Sequence, residues 1–149
     1  ISRGLVGSEM CIRDSTYGPR MRPDDGRVVP ELCVRGLSGR DLTVHGDGSQ
    51  TRSFCYVSDL VLGIVSLFES SYNEVFNLGN PTEYSINDFA KTVIQLTGEQ
   101  SKVQYLPGRP DDPRKRCPNI SKANEKLDWS PKVSLEEGLR KTLDYFSSV

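Results

Sequence analysis

Apolar residues recur at three- and four-residue spacing in five segments of the chain, and this period predicts amphipathic helices. The first helix is predicted from about Arg27 to Ser38, before Gly39, and a short fourth helix starts at Ser121. The other three are expected to begin at a serine whose hydroxyl caps free N–H groups of the first turn. These serines are Ser58, Ser85 and Ser134.

The sequence gives more specific predictions for two of these helices. The helix after Ser58 has a long apolar stripe, which we expect to be buried. The stripe consists of Leu60, Val61, Ile64, Val65 and Phe68. Ser134 and Glu137 have the spacing of a capping box, which opens the last helix. Trp129, just before this helix, is predicted to anchor it in the core.

Short β-type runs lie between the helices, at residues 42–44, 52–57, 75–78 and 102–106. A tight glycine turn at residues 46–48 separates the first two runs, which are expected to form a hairpin or two edge segments. Helices and short strands therefore alternate, but there are too few good strands for a complete doubly wound sheet. The pattern favours the small α/β lobe of a larger enzyme.

Composition excludes several classes of function. The net charge is -1, whereas a general nucleic-acid binder is expected to be strongly basic. No apolar run is long enough to cross a bilayer. The chain has a single histidine, His45, and no paired cysteines, so a metal site is not expected. With no secretory leader pattern, the expected location is cytoplasmic and the cysteines are expected to be reduced structural thiols. They are Cys11, Cys33, Cys55 and Cys117.

Residues 1–15 show no clear period and are set apart from the rest. The segment 7–15 (GSEMCIRDS) resembles the translated adaptor sequence that contaminates some assembled reads. The alternative is an ordinary irregular N-terminal tail. Either way the expected folded unit is residues 16–149.

Five groups of motifs in this unit resemble a known family. They are residues 16–21 (TYGPRM) with 25–29, residues 42–54 (LTVHGDGSQTRSF) with 56–60, residues 76–81 (FNLGNP), residues 111–116 (DDPRKR) and residues 127–133 (LDWSPKV). Together they resemble the extended short-chain dehydrogenases, the superfamily of NAD-dependent epimerases and dehydratases. The last two groups narrow the resemblance to UDP-glucuronate decarboxylases. The implied fold is the α/β C-terminal substrate-binding lobe, with the Rossmann half largely missing.

The resemblance also implies ligands and the residues that contact them. Residues that fall where family members touch NAD are Thr16, Arg22 and Arg27. Residues that fall where the uridine and diphosphate of UDP-glucuronate or UDP-xylose are held are Val29, Glu31, His45, Gln50, Arg52 and Arg116. Three positions depart from the family pattern. They are His45 in place of the usual tyrosine, Glu31 in place of asparagine and Asn119 in place of aspartate.

The chemistry of these residue types suits a UDP-sugar. The planar guanidinium of Arg52 or Arg116 can donate two parallel hydrogen bonds to phosphate oxygens, although either could instead be a solvated surface arginine. Arg114 and Lys115 are expected to face solvent. His45 either stacks on uracil or is a surface histidine of no special role.

The sequence contains neither a glycine-rich dinucleotide turn of the G-x-G-x-x-G or G-x-x-G-x-x-G type nor a Tyr-x-x-x-Lys pair. No catalytic residue is therefore expected here, and the chain is expected to be an inactive part of a longer enzyme. In the family, NAD accepts a hydride from C4 of the sugar, carbon dioxide leaves, and the hydride returns. The full-length enzyme is expected to be a homodimer. The alternatives are a nucleotide-sugar 4,6-dehydratase or 4-epimerase, or a binding module without catalysis.

Overall fold

The computed structural model describes residues 16–98, 100–108 and 113–148, which form five helices and seven short strands. The helices are α1 (Val28–Leu37), α2 (Val57–Glu69), α3 (Ile86–Leu96), α4 (Ser121–Leu127) and α5 (Leu135–Ser147). The strands are β1 (Thr16–Tyr17), β2 (Leu42–His45), β3 (Thr51–Ser53), β4 (Cys55–Tyr56), β5 (Glu83–Ser85), β6 (Val103–Leu106) and β7 (Lys115–Arg116). The expectations for residues 1–15 and for part of the 111–116 motif lie outside the described residues.

The strands pair in three small sheets. β1 pairs with β4 and β2 pairs with β6, both in parallel, while β3 lies between antiparallel β5 and parallel β7. The expected hairpin is wrong, because β2 and β3 belong to different sheets. The predicted run 52–57 splits into β3, which is central rather than at an edge, and β4.

The predicted helix starts at Ser85 and Ser134 are confirmed. The Ser85 hydroxyl accepts the N–H of Asp88 at 3.0 Å, and the Ser134 hydroxyl accepts that of Glu137 at 3.2 Å. Glu137 uses its carboxylate to pair with a lysine one turn later. The expected cap at Ser58 is wrong, since α2 begins one residue earlier without a side-chain cap.

The main core lies where α1, α3 and α5 pack around β2 and the aromatic residues of β1 and β4. Tyr17 is almost fully buried there, and its hydroxyl donates to the carbonyl of Leu135 at 3.3 Å. Gly138 of α5 allows this approach, because a Cβ at that position would overlap the Tyr17 ring. The other fully buried large side chains include Leu32, Leu42, Val44, Phe54, Phe89, Val93 and Leu139.

A second, smaller core contains Trp129. Its predicted burial is confirmed, but it packs with residues of α2 and α4 and not, as was predicted, with the last helix. Its ring packs with Phe76, Ile120 and Ala123, and its indole N–H donates to the backbone carbonyl of Asp59 at 3.0 Å. The buried carboxylate of Asp59 accepts the N–H groups of residues 132 and 133 at 3.0 and 2.9 Å. This network fixes α2 to the segment that enters α5.

The predicted burial of the α2 stripe is wrong. The helix packs through Asp59, Leu60 and Gly63, and of the stripe only Leu60 is buried. Phe68 is 88% exposed, and the other three members are Val61, Ile64 and Val65, each between 43% and 50% exposed. The predicted strand 75–78 is also not formed. Both features present apolar groups to solvent.

The three described cysteines are free thiols. Cys33 and Cys55 are buried, as expected of structural thiols, but Cys117 is exposed and does not fit that prediction. Within the described ranges, no helix is long and apolar enough to span a membrane.

Candidate functional site

Most residues predicted to bind substrate line one small cleft between α1, β2 and β3, which we name the inner cleft. Its volume is about 120 Å³. Four predicted residues line it, namely Glu31, His45, Gln50 and Arg52. The lining is completed by Gly26, Val28, Thr43, Val44 and Ile86.

Glu31 is placed by the first turn of α1, where the helix begins beside β2. Its Oε1 accepts a hydrogen bond from the Thr43 hydroxyl at 2.7 Å and lies 3.5 Å from Nε of Arg35. These contacts fix the carboxylate on the wall of the cleft and tie α1 to the strand.

The glycine turn between β2 and β3 positions His45 and Gln50. Gly46 and Gly48 both have positive φ, which residues with a Cβ rarely adopt. Across this turn, Nε2 of Gln50 donates to the carbonyl of His45 at 2.7 Å, and Nδ1 of His45 lies 3.2 Å from the carbonyl oxygen of Pro107. The turn therefore holds both side chains at the end of β2.

Arg52 and Arg116 lie directly opposite each other on the parallel strands β3 and β7. Paired residues on neighbouring strands project from the same face of a sheet, so the two guanidinium groups share one face. Arg52 lines the inner cleft and donates from Nη1 to the carbonyl of Thr51 at 2.7 Å. Arg116 is held through its backbone carbonyl, which accepts the hydroxyl of Ser53 at 3.1 Å. The register thus brings together two arginines that are 64 positions apart in sequence.

A wider cleft of about 480 Å³ adjoins the inner cleft and shares His45 and Gln50 with it. We name it the outer cleft. Arg114, which the sequence places in solvent, is exposed but lines this cleft. Hydrogen bonds from the hydroxyl and the N–H of Ser49 lower the pKa of the Asp47 carboxyl, which also lines this cleft, with a smaller contribution from Arg114. Lys115 faces solvent as expected and pairs with Glu83 at 2.7 Å.

The remaining predicted residues do not line the inner cleft. Val29 is buried in the core, and its neighbour Val28 takes the place on the cleft wall. Among the three residues predicted to touch NAD, Thr16 is half-buried on β1 and Arg22 is 80% exposed beside Asp24.

Arg27, the third of these, forms an ion pair with Asp25, whose carboxylate also accepts the Arg27 backbone N–H at 3.0 Å.

Sequence reasoning missed Thr43, although a signal for it was present. Side chains two apart on a strand share a face, so Thr43 belongs with His45 on β2. The sequence has no comparable signal that Ile86 lines the cleft. Its position depends on the backbone hydrogen bond from the Ile86 N–H to the carbonyl of Gln50 at 3.1 Å, which joins α3 to the turn.

A larger surface cleft, of about 520 Å³, lies between residues 80–82 and residues 118–131. Polar side chains on its lining serve the local backbone. Oδ1 of Asn80 accepts the N–H of Thr82, and Oδ1 of Asn119 accepts that of Ser121. It contains none of the residues predicted to bind a ligand, so the inner cleft is the better candidate. In the described part of the chain, no three metal-binding side chains cluster.

Comparison with known proteins shows the family and the fold of the chain. The model of a family described as GDP-mannose 4,6 dehydratase matches residues 10–142. UDP-glucuronic acid decarboxylase 1 of Danio rerio is 51% identical over 133 residues, which are 89% of this chain and 32% of that protein. The protein of the same name from Arabidopsis thaliana is 48% identical over 132 residues, 89% of this chain and 30% of that one. The chain thus spans about a third of the length of the curated relatives it matches.

Solved structures show the same fold. UDP-glucose 4-epimerase from Thermotoga maritima has a TM-score of 0.86 at 39% identity, over 90% of this chain and 44% of that one. UDP-glucuronic acid 4-epimerase from Bacillus cereus, in complex with UDP-glucuronic acid and NAD, has a TM-score of 0.84 at 32% identity, over 97% of this chain and 51% of that one. The chain has the α/β fold of nucleotide-sugar epimerases and dehydratases, and it belongs to the GDP-mannose 4,6 dehydratase family.

Proposed function

We propose that this chain is the nucleotide-sugar-binding part of a UDP-glucuronate decarboxylase, which converts UDP-glucuronate to UDP-xylose and carbon dioxide. The observation that carries the proposal is the assembly of Glu31, His45, Gln50 and Arg52 around one cleft, with Arg116 in register beside Arg52. The identity of about 50% to decarboxylases favours this reaction over that of the solved epimerases, which are 39% and 32% identical.

In this proposal the diphosphate lies against the paired arginines. Two phosphate groups carry charges a few ångströms apart, and the pairing of β3 with β7 sets the backbones of the two arginines about 5 Å apart. Hydrogen bonds between a guanidinium and a phosphate are charge-assisted and stronger than neutral ones. Arg52 and Arg116 therefore supply the main electrostatic part of the binding energy.

The uracil then occupies the inner cleft. A flat ring suits a cleft of this size, whose walls combine the apolar Val28 and Ile86 with a few polar groups. His45 supplies an aromatic ring there, in place of the usual tyrosine.

The NAD of the full-length enzyme would be contacted by Thr16, Arg22 and Arg27. A hydroxyl and two guanidinium groups suit the ribose and pyrophosphate oxygens of a dinucleotide. When bound, NAD supplies the acceptor and donor for a hydride at C4 of the sugar. The chain's own part is to hold the UDP group, so that binding energy remote from the sugar aligns the reacting carbon.

The first experiment measures binding and turnover by the chain of residues 1–149. We expect it to bind UDP and UDP-glucuronate by calorimetry, and to bind uridine much more weakly, because uridine lacks the diphosphate. We also expect no carbon dioxide release from UDP-glucuronate with NAD present, because the sequence has no Tyr-x-x-x-Lys pair. Equal affinity for UDP and uridine would contradict the diphosphate site. Carbon dioxide release would contradict the prediction that this chain binds UDP-glucuronate without converting it.

A 4-epimerase is the second candidate, because both solved structures compared above are epimerases. The full-length enzyme incubated with UDP-glucuronate decides between the two. A decarboxylase gives UDP-xylose, and an epimerase gives UDP-galacturonate. We further propose that the full-length enzyme is a cytoplasmic homodimer.

A further inference from the structure

Glu31 introduces a carboxylate into the lining of the inner cleft. Its side chain is 30% exposed, so it neither lies in the core nor extends freely into solvent. Both contacts described above, from the Thr43 hydroxyl at 2.7 Å and from Nε of Arg35 at 3.5 Å, reach the same oxygen, Oε1. Within the described residues this arrangement leaves Oε2 available to a ligand.

The Glu31 and Thr43 side chains on this wall can only accept hydrogen bonds from a ligand. An ionised carboxylate only accepts hydrogen bonds, and the Thr43 hydroxyl already uses its proton on Glu31. The donors in the cleft come from elsewhere, chiefly from the guanidinium of Arg52. A base bound here must therefore present an N–H to the Glu31 wall, since a carbonyl oxygen at that wall would face another acceptor.

Uracil has one N–H on its pairing edge, at N3, between two carbonyl groups. We propose that Glu31 is a specificity-determining residue that accepts the N3–H of uracil through its free carboxylate oxygen. This inference rests on the proposed function, because it assumes that a UDP group occupies the inner cleft. Thr43 acts as a positioning residue that fixes the carboxylate.

The test combines a change in the ligand with a change in the protein. N3-methyl-UDP keeps the diphosphate and the ring but lacks the N3–H. A hydrogen bond to a charged group corresponds to about 10- to 100-fold in affinity, and we expect the unsubstituted chain to prefer UDP by that factor. Glu31→Ala should bind the two ligands within about twofold of each other. Glu136→Ala, which removes an exposed carboxylate from α5, is the matched control and should keep the full preference.

Glu31→Gln is a second variant, which tests the same inference if Glu31→Ala does not fold. Its neutral carbonyl is a weaker acceptor, so the preference should fall to about 2- to 10-fold. An undiminished preference in either Glu31 variant overturns the inference, as does equal binding of both ligands by the unsubstituted chain. If that chain binds UDP without a preference, only the role of Glu31 fails. If it binds no UDP at all, the proposed function fails as well.

Discussion

The three described cysteines differ in the environment of their thiols. Burial raises the pKa of Cys33 to about 12, and burial together with the nearby Asp59 charge raises the pKa of Cys55 to about 12. Cys117 is exposed, and its Sγ lies 3.3 Å from the carbonyl oxygen of Pro81. Since the thiolate is the reactive form, the buried pair should be inert in the folded chain.

We therefore predict that Cys117 is the first of the three described cysteines to be alkylated at pH 8. Iodoacetamide labelling followed by peptide mass spectrometry should show modification of Cys117 well before that of Cys33 and Cys55. In a denaturant the three rates should converge. Labelling of Cys33 at the rate of Cys117 in the native chain would show that the core around α1 is not packed as described.

At this scale the sequence predicted the polar lining of the site better than its apolar lining. Motifs pointed to Glu31, His45, Gln50 and Arg52, all of which reach the inner cleft. Val28 and Ile86 could not be found in this way. A single apolar residue beside a helix start has the same local pattern whether it packs in the core or on a cleft wall.

Among the elements, α5 depends on a glycine for its position. A Cβ at Gly138 would lie within 2.8 Å of ring atoms of both Tyr17 and Tyr56, which are buried. We predict that Gly138→Ala destabilises the chain by about 1–3 kcal/mol through overpacking, even though alanine is the better helix former by about 1 kcal/mol.

Urea denaturation measures this change in the free energy of unfolding. Asp144→Ala, on the exposed side of the same helix, is the control and should be neutral or slightly stabilising. A Gly138→Ala variant as stable as that control would show that α5 does not approach the two tyrosines closely.

The error at α2 shows a limit of periodicity as a guide. The spacing of apolar residues correctly predicted a helix, but it did not show which face has a partner in this chain. Trp129 and residues 132–133 contact the face of Asp59 and Gly63, so the predicted stripe, apart from Leu60, remains outside. The run 75–78 failed as a strand for a related reason, because a strand requires a neighbour that its own composition does not reveal.

We predict that the exposed face of α2 makes the isolated chain self-associate. Contiguous exposed apolar surface favours association in water. The double change Ile64→Ser with Phe68→Ser should lower the associated fraction measured by analytical ultracentrifugation, with little effect on the free energy of unfolding because both side chains are exposed.

Leu60→Ser, on the buried face of the same helix, is the contrasting variant and should destabilise the fold. If the double variant associated as strongly as the unsubstituted chain, the contact would lie elsewhere on the molecule.

For the whole molecule, resemblance predicted the class of fold, while local pattern did not predict the pairing of strands. The three sheets join segments far apart in sequence, such as β3 with β7 and β2 with β6. The pairing of β3 with β7 places Arg52 beside Arg116 and so links fold to site. No periodicity along the chain contains that information, since the register is set by tertiary packing.

The central claim is that these two arginines hold a nucleoside diphosphate together. It is tested most directly by titrating UDP into the unsubstituted chain, Arg52→Ala, Arg116→Ala and the control Lys115→Ala, with affinity measured by calorimetry. We predict a loss of about 10-fold or more for each arginine variant and no change for Lys115→Ala, whose side chain pairs with Glu83. Equal affinity in all four proteins would contradict the account.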